Sequence, residues 1–375
     1  MNALADHVFE FIGTYVTPRK YRFFADGWGD VELASRVASR ARQSFTGTGS
    51  SPPVDDVALT WTSRDVLDDS FDIACDVTRD QGEFTSPFAD VLPVESARVA
   101  FTRWSPSRRD VGTTRRVAIL LPCTGDQTEW YRHGIARELL ADGIECVVPT
   151  IAYYGTRKPE AQWAHVLRTV ADAKIQLSVT PVEMMVLARL VHDDITKNTD
   201  GVSAGKIDWV FAGISLGGTM SALAASALAS SRADVGGDVG VCCIAGPSDG
   251  KPFVDGSIGK RVAWDVLARE CGDDDAKARD RMLDELRELD VERLVAAKSV
   301  KKSVVLTAKH DRFVGTSSNE GIDRALRVMA GAGDADADAY ERHEFDGGHL
   351  NFLWKRKAVV APAIKRAFGI EVMVL

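Results

Sequence analysis

The sequence predicts an α/β fold: a mostly parallel central sheet with helices on both faces, an N-terminal helical extension before it and a helical insertion within it. Three observations carry this. From Arg116 onward, short continuous apolar runs at 117–121, 145–149, 208–212, 241–245, 303–307 and 341–345 alternate with segments of helical periodicity. Continuous apolar runs belong to strands buried on both faces, and helices between them make parallel crossovers. The third run leads directly into Gly213-Ile214-Ser215-Leu216-Gly217 and then into an Ala-rich segment, the signature of a sharp strand-to-helix turn. Finally, 375 residues exceed the roughly 250–300 at which one core stops growing, so a large domain with a substantial appendage is expected.

Residues 1–110 form the extension, expected to be helical with early strands and packed on the body, and 111–375 form the main domain. Leu4, Val8, Phe11 and Ile12 share one helical face. The polar face is acidic, which favours packing on the body over lying on a membrane. Phe23, Phe24 and Trp28 need cover, 46–53 is rich in Gly, Ser, Thr and Pro and reads as a loop, and 99–104 alternates as an early antiparallel strand. Helices follow at 131–140, ending near Gly143, over a long region at 160–192 with a break expected before Pro181, and at 220–229. Residues 247–300 form an insertion whose charged centre, 270–292, is a solvated helical face or a lid over the sheet's carboxyl edge.

Forty-six Lys and Arg stand against 54 Asp and Glu, a net charge of −8. That balance argues against a nucleic-acid partner, which requires a basic footprint. No apolar stretch reaches the ~18 residues of a transmembrane span, so peripheral contact is the most a membrane partner can have. Asp6 and Glu10, with no basic segment before them, argue against a secretory signal. None of the six cysteines forms a C-x-x-C pair; a reducing, cytoplasmic setting without disulfides or zinc fits best. No metal or cofactor is expected. Asp334, Asp336 and Asp338 have the spacing of a calcium loop, but Ala339 and Phe345 stand where its Gly and Glu are required.

The chemistry centres on Ser215. A serine on a strained turn needs small residues two before and two after it, and Gly213 and Gly217 provide them. A hydroxyl needs a base, and the base an orienting acid. On this fold the chain order is Ser, then Asp or Glu, then His. Asp311 follows the run at 303–307 and His349 the run at 341–345, both where a strand's carboxyl end meets a loop, the face on which open α/β sheets place ligands. Asp249 and Asp346 are alternative acids and His310 a rival base. His7, His133, His165 and His192 fall in helix-like stretches and read as surface or packing groups. For the oxyanion, the N–H of Leu216 and one from Thr124 or Gly125, in the loop after the first run of the sheet, are the candidate donors. After the run at 145–149, Tyr153 and Tyr154 either line an acyl pocket or pack, and Arg157 and Lys158 either hold an anionic substrate group or anchor the loop by ion pairs.

Several segments together resemble the alpha/beta hydrolase domain-containing protein 18 family: Phe24 to Gly29, Thr124-Gly125-Asp126 with Trp130 and Arg132, Tyr153 to Pro159 with Gln162, Gly213 to Gly218, and Gly347-Gly348-His349. The resemblance implies an alpha/beta-hydrolase fold and the same assignment of Ser215, Asp311 and His349. The function expected is a serine hydrolase that cleaves an acyl ester, lipid esters included, with a small molecule or lipid as substrate. The alternatives are a catalytically silent protein of this fold acting by interaction, or a thioesterase or acyltransferase on the same fold.

Overall fold

The computed structural model describes residues 6, 21–46, 57–71, 73, 75–107, 114–197, 206–231, 235–332 and 338–373. The helix expected around Leu4, Val8, Phe11 and Ile12, the loop expected over 47–53 and the acidic stretch at 334–336 lie outside them.

In chain order the elements are α1 Val31–Thr46, β1 Thr60–Leu67, β2 Val77–Thr85, β3 Arg98–Pro106, β4 Arg115–Leu121, α2 Trp130–Leu140, β5 Glu145–Pro149, α3 Val170–Lys197, β6 Ile207–Ile214, α4 Leu216–Ser230, β7 Val239–Ile244, α5 Trp264–Arg269, α6 Asp275–Leu286, α7 Val291–Leu294, β8 Lys302–Ala308, α8 Thr316–Ala330, β9 Tyr340–Phe345 and α9 Ala361–Ala367. The described strands join in one sheet of nine, ordered β1-β2-β3-β5-β4-β6-β7-β8-β9. Strands β1 to β3 are antiparallel to their neighbours, and β5 through β9 are mutually parallel.

The apolar runs are buried on both faces because two cores cover the sheet. Along β4, Val117, Ile119 and Leu121 enter one core while Ala118 and Leu120 enter the other, the period-two alternation of a strand. Helices α1, α3, α4 and α8 build the first core, and α2 and α9 the second. The chain runs from β4 outward to β5, then crosses back to β6 on the other side of β4. Connections thus diverge between β4 and β6, and the crevice outside their carboxyl ends is where such sheets hold ligands.

One element differs from the sequence reading, and two of the early strands have no local signal in the sequence. Strands β1 and β2 lie in a segment with no strong alternation; β2 forms a nine-residue antiparallel ladder with β3, and that pairing settles it. The long helix begins at Val170 rather than near 160. It then continues through Pro181 without ending. Proline removes one helical hydrogen bond, yet 174–176 and 178–188 are buried against the core, and packing outweighs that loss.

The extension and the insertion meet on the body. Trp28 is buried, its Nε1 donates to Leu267 O in α5 at 3.1 Å, and the Arg281 guanidinium of α6 sits 4.1 Å from its ring centroid. Truncating a buried Trp removes both packing and this hydrogen bond. Trp28→Ala is expected to destabilise the fold by about 3–5 kcal/mol, read as a lowered urea midpoint; a midpoint within error of the parent would show that this contact does not hold the two segments.

Candidate active site

Ser215 sits between β6 and α4 with φ 57° and ψ −123°, a backbone region that a non-glycine residue occupies only under strain. The turn is possible because its flanks lack side chains. A Cβ on Gly213 would lie 2.5 Å from the carbonyl carbon of Gly217, and one on Gly217 would lie 2.7 Å from Leu121 O. The second approach sets α4 directly against the carboxyl end of β4. The first N–H groups of a helix have no partner within it; at the start of α4 those of Gly218 and Thr219 donate to Ser215 O, and Leu216 borders the narrow cavity beside Ser215.

Asp311 and His349 arrive from the loops after β8 and β9. Nδ1 of His349 lies 2.7 Å from Oδ2 of Asp311, both side chains buried. A carboxylate can only accept, so Nδ1 carries the proton and Nε2 is the free basic nitrogen. The other oxygen, Oδ1, accepts from Phe313 N–H at 2.8 Å and Val314 N–H at 2.9 Å. Phe313 in turn stacks on the imidazole, centroids 4.8 Å apart. Burial works against charge on His349. The Asp311 carboxylate, with Asp6 adding to it, outweighs burial and holds the imidazole above its ordinary value. In this structure no hydrogen bond joins Ser215 Oγ to the ring among the described residues; such links commonly tighten only when substrate is bound.

The loop after β4 is pinned on three sides. The Tyr131 hydroxyl accepts from Cys123 N–H at 2.7 Å and donates to Leu121 O at 3.2 Å. Arg132 pairs with Asp126 at 2.6 Å and donates to Leu120 O and Pro149 O. Tyr154, from the next loop, is buried beside Thr124 and Gly125. Cys123 is buried and its thiol is pushed up to about 12, chiefly by burial, so it is no thiolate at neutral pH.

Two cavities meet at the serine, sharing Thr124, Ser215, Ile258 and Phe313 in their walls. One is narrow, about 50 Å³, and mostly apolar, with Leu177, Leu216, Leu223, Phe253, Leu286 and Leu289 around it. The other, about 310 Å³, contains His349, Gly125, His165 and Arg261 and opens past Trp130 and Trp354. Among the described residues no cluster of three His, Cys, Asp or Glu side chains is placed to hold a metal ion.

The model of the family described as "Alpha/beta hydrolase domain containing 18" matches residues 21–282 and 272–370. The chain belongs to that family. Its α/β-hydrolase fold is shared with solved esterases. An acetyl xylan esterase from Paenibacillus sp. R4 aligns with 11% identity over 86% of this chain and 90% of its own, TM-score 0.50. Acetyl xylan esterase 1 from Thermoanaerobacterium sp. JW/SL YS485 aligns with 13% identity over 91% and 99%, TM-score 0.48. At these identities the likeness is one of fold. No curated protein matches the chain.

In this family member, Ser215, His349, Thr124 and Gly125 border the wide cavity, Leu216 the narrow one, and Asp311 lies behind His349. Tyr153, Tyr154, Arg157 and Lys158 border neither. Arg157 is buried against Glu183 at 2.7 Å and donates to the carbonyls of Ser96 and Thr150. Lys158 Nζ donates to Pro159 O and Gln162 O, and Tyr153 is buried with its N–H on Ser96 Oγ. Of the two roles left open for Arg157, the ion-paired anchor is the one its partners favour. Of the rival catalytic groups, His310 pairs with Asp346 at the surface, 3.1 Å apart, and Asp249, in the wall of the narrow cavity, accepts from the Ser318 hydroxyl and the Lys251 N–H.

His165 is the residue the sequence reading missed. The spacing puts it in a helix-like stretch, whereas it lies in the loop before α3 and forms part of the wide cavity's wall. Burial, then the Arg261 charge, push it down to about 4, so it is neutral at pH 7. The signal was present: Thr169 Oγ1 accepts the Asp172 N–H and Asp172 accepts the Thr169 N–H, each at 3.0 Å. That is a capping box, and Thr169-x-x-Asp172 marks the helix start.

Arg157→Ala should leave Glu183 buried without its cation. Breaking such a pair costs about 3–5 kcal/mol, visible as a lowered urea midpoint. If Arg157 instead bound substrate, stability would hold and only ligand affinity would fall.

Proposed function

We propose that the protein is a serine hydrolase that cleaves acyl esters, with Ser215 as nucleophile, His349 as base and Asp311 as the group that orients it. The observation that carries this reading is the coincidence of a strained serine turn, an imidazole held by a buried carboxylate, and a cleft that divides into two arms at that serine. Family membership supports hydrolytic chemistry in general, and the site supports the narrower assignment.

In the first half-reaction Oγ attacks the ester carbonyl carbon as its proton passes to Nε2 of His349. The carbonyl oxygen becomes an oxyanion, held by the Leu216 N–H and by the loop after β4. Thr124 borders both cavities at Ser215 whereas Gly125 borders only the wide one, so the Thr124 N–H is the better second donor. A single such donor is typically worth about 10²–10³ in kcat. Collapse of the intermediate breaks the C–O bond, and His349 returns the proton to the departing alkoxide. In the second half-reaction water attacks the acyl-enzyme by the same steps and Ser215 is regenerated.

The two arms follow from where the proton goes. The leaving alcohol must lie beside His349, and His349 borders only the wide arm. The acyl group therefore occupies the narrow apolar arm. An apolar acyl chain, as in a lipid ester, suits those walls, and the wide arm accommodates a larger alcohol portion. A silent interaction protein would have no use for a strained turn beside a buried His–Asp pair.

A fluorophosphonate probe should label the intact chain, and Ser215→Ala should abolish the labelling; equal labelling of both would remove Ser215 as nucleophile.

The pH profile follows from the raised imidazole. The base must be neutral to accept the proton, so kcat/KM on a p-nitrophenyl ester should rise with pH through a midpoint above the ordinary 6.5. A midpoint at or below that value would contradict the arrangement of carboxylates around His349.

A further inference from the structure

Asp6 is separated from His349 by 343 residues yet touches the loop that carries it. Its carboxylate is fully buried. Oδ2 accepts the His349 N–H at 2.8 Å and Oδ1 the Leu350 N–H at 2.9 Å, one oxygen for each of the first two N–H groups of the short 3₁₀ turn His349–Leu353. Close approach is possible because residue 348 is glycine: a Cβ there would lie 2.8 Å from Oδ2. Inside the loop, Asn351 Oδ1 accepts the Gly348 N–H at 2.8 Å. The His349 backbone is thus fixed from two directions, by Asn351 from within and by Asp6 from the N-terminal segment.

We propose that Asp6 is a positioning residue for His349, holding the backbone of its loop so that the imidazole can reach Ser215 and adding a second negative charge near the ring. This rests on the reading of Ser215 and His349 given above. A buried carboxylate is costly to desolvate, and two N–H donors at the start of a turn offset that cost. The arrangement makes the geometry of the last catalytic loop depend on a residue that precedes the first described helix. Two charged groups bear on the imidazole among the described residues: Asp311 through Nδ1, and Asp6 from the backbone side. Phe313, stacked on the ring, carries no charge.

The test separates this role from simple structural support. In a Ser215→Ala background, which needs no substrate, the His349 ring is titrated by NMR. Asp6→Asn removes the charge while keeping one acceptor, and it is expected to lower the titration midpoint. In the active chain, Asp6→Asn and Gly348→Ala should each reduce kcat on p-nitrophenyl butyrate by roughly 10- to 100-fold, with KM within about twofold. The acid limb of the Asp6→Asn profile should move to lower pH. An unchanged midpoint and unchanged kcat in Asp6→Asn would overturn the proposal. So would a loss of kcat that merely tracks a loss of folded protein, with the midpoint where it was. Failure of the parent reading looks different: the unsubstituted chain would not be labelled by a fluorophosphonate, and the catalytic part of the proposal would fall with it.

Discussion

The close approach of α4 to the end of β4 is the constraint from which the site follows. It exists because residues 213 and 217 lack side chains, so the chain can reverse at Ser215 within five residues. A Cβ at Gly217 would meet the carbonyls of Leu121 and Pro122 at 2.7 and 2.8 Å, and any side chain there would push the helix off the sheet. The same contact brings the loop after β4 beside the serine, and with it Thr124. The strained serine, the helix N–H groups and the loop N–H are therefore consequences of one packing distance rather than independent placements. Strain of this kind persists where the surroundings over-determine it. Here they do so through the parallel pairing of β6 with β4 on one side and β7 on the other.

A second layer of polar contacts keeps the loops around the cleft from relaxing. Asp126 and Arg132 tie the loop after β4 to the carbonyls of Leu120 and Pro149. Arg157 and Glu183 tie the loop after β5 to α3, and the buried Tyr154 ring of that loop packs beside Thr124 and Gly125. Buried ion pairs of this sort are weak contributors to net stability but costly to break singly. They act here as fixed struts. Two of the five segments by which the sequence resembles its family, Thr124 to Arg132 and Tyr153 to Gln162, fall on these struts, and Tyr153, Tyr154, Arg157 and Lys158 border neither cavity.

What could be read in the sequence follows from the range of each interaction. The parallel strands were legible because burial on both faces leaves continuous apolar runs, and the turn at Ser215 because its glycines are local. The sequence places Asp311 and His349 just after strands, and the structure brings them within hydrogen-bond distance of each other. Less legible were features decided by distant partners. Nothing near Arg157 announces Glu183, 26 residues on, and nothing near Asp6 announces His349. Pro181 argued for a helix end, but burial of α3 among its neighbours outweighed one lost hydrogen bond. The start of α3 was legible in Thr169 and Asp172 and was passed over in favour of periodicity, which extends a helix but does not say where it begins.

The catalytic groups and the walls around them come from different parts of the chain. The groups proposed for bond-making sit at the carboxyl ends of β4, β6, β8 and β9. The narrow arm is completed by Leu286 and Leu289, contributed by the insertion between β7 and β8, and by Leu177 from α3. The wide arm takes Arg261 from the insertion and Phe23 from the N-terminal extension. The sheet positions the Ser215 hydroxyl and the His349 imidazole, and the appended segments supply part of the walls beside them. The glycines that permit the strained turn at Ser215 meet β4 and α4 rather than the insertion, so the turn and much of the cavity wall are built from different segments.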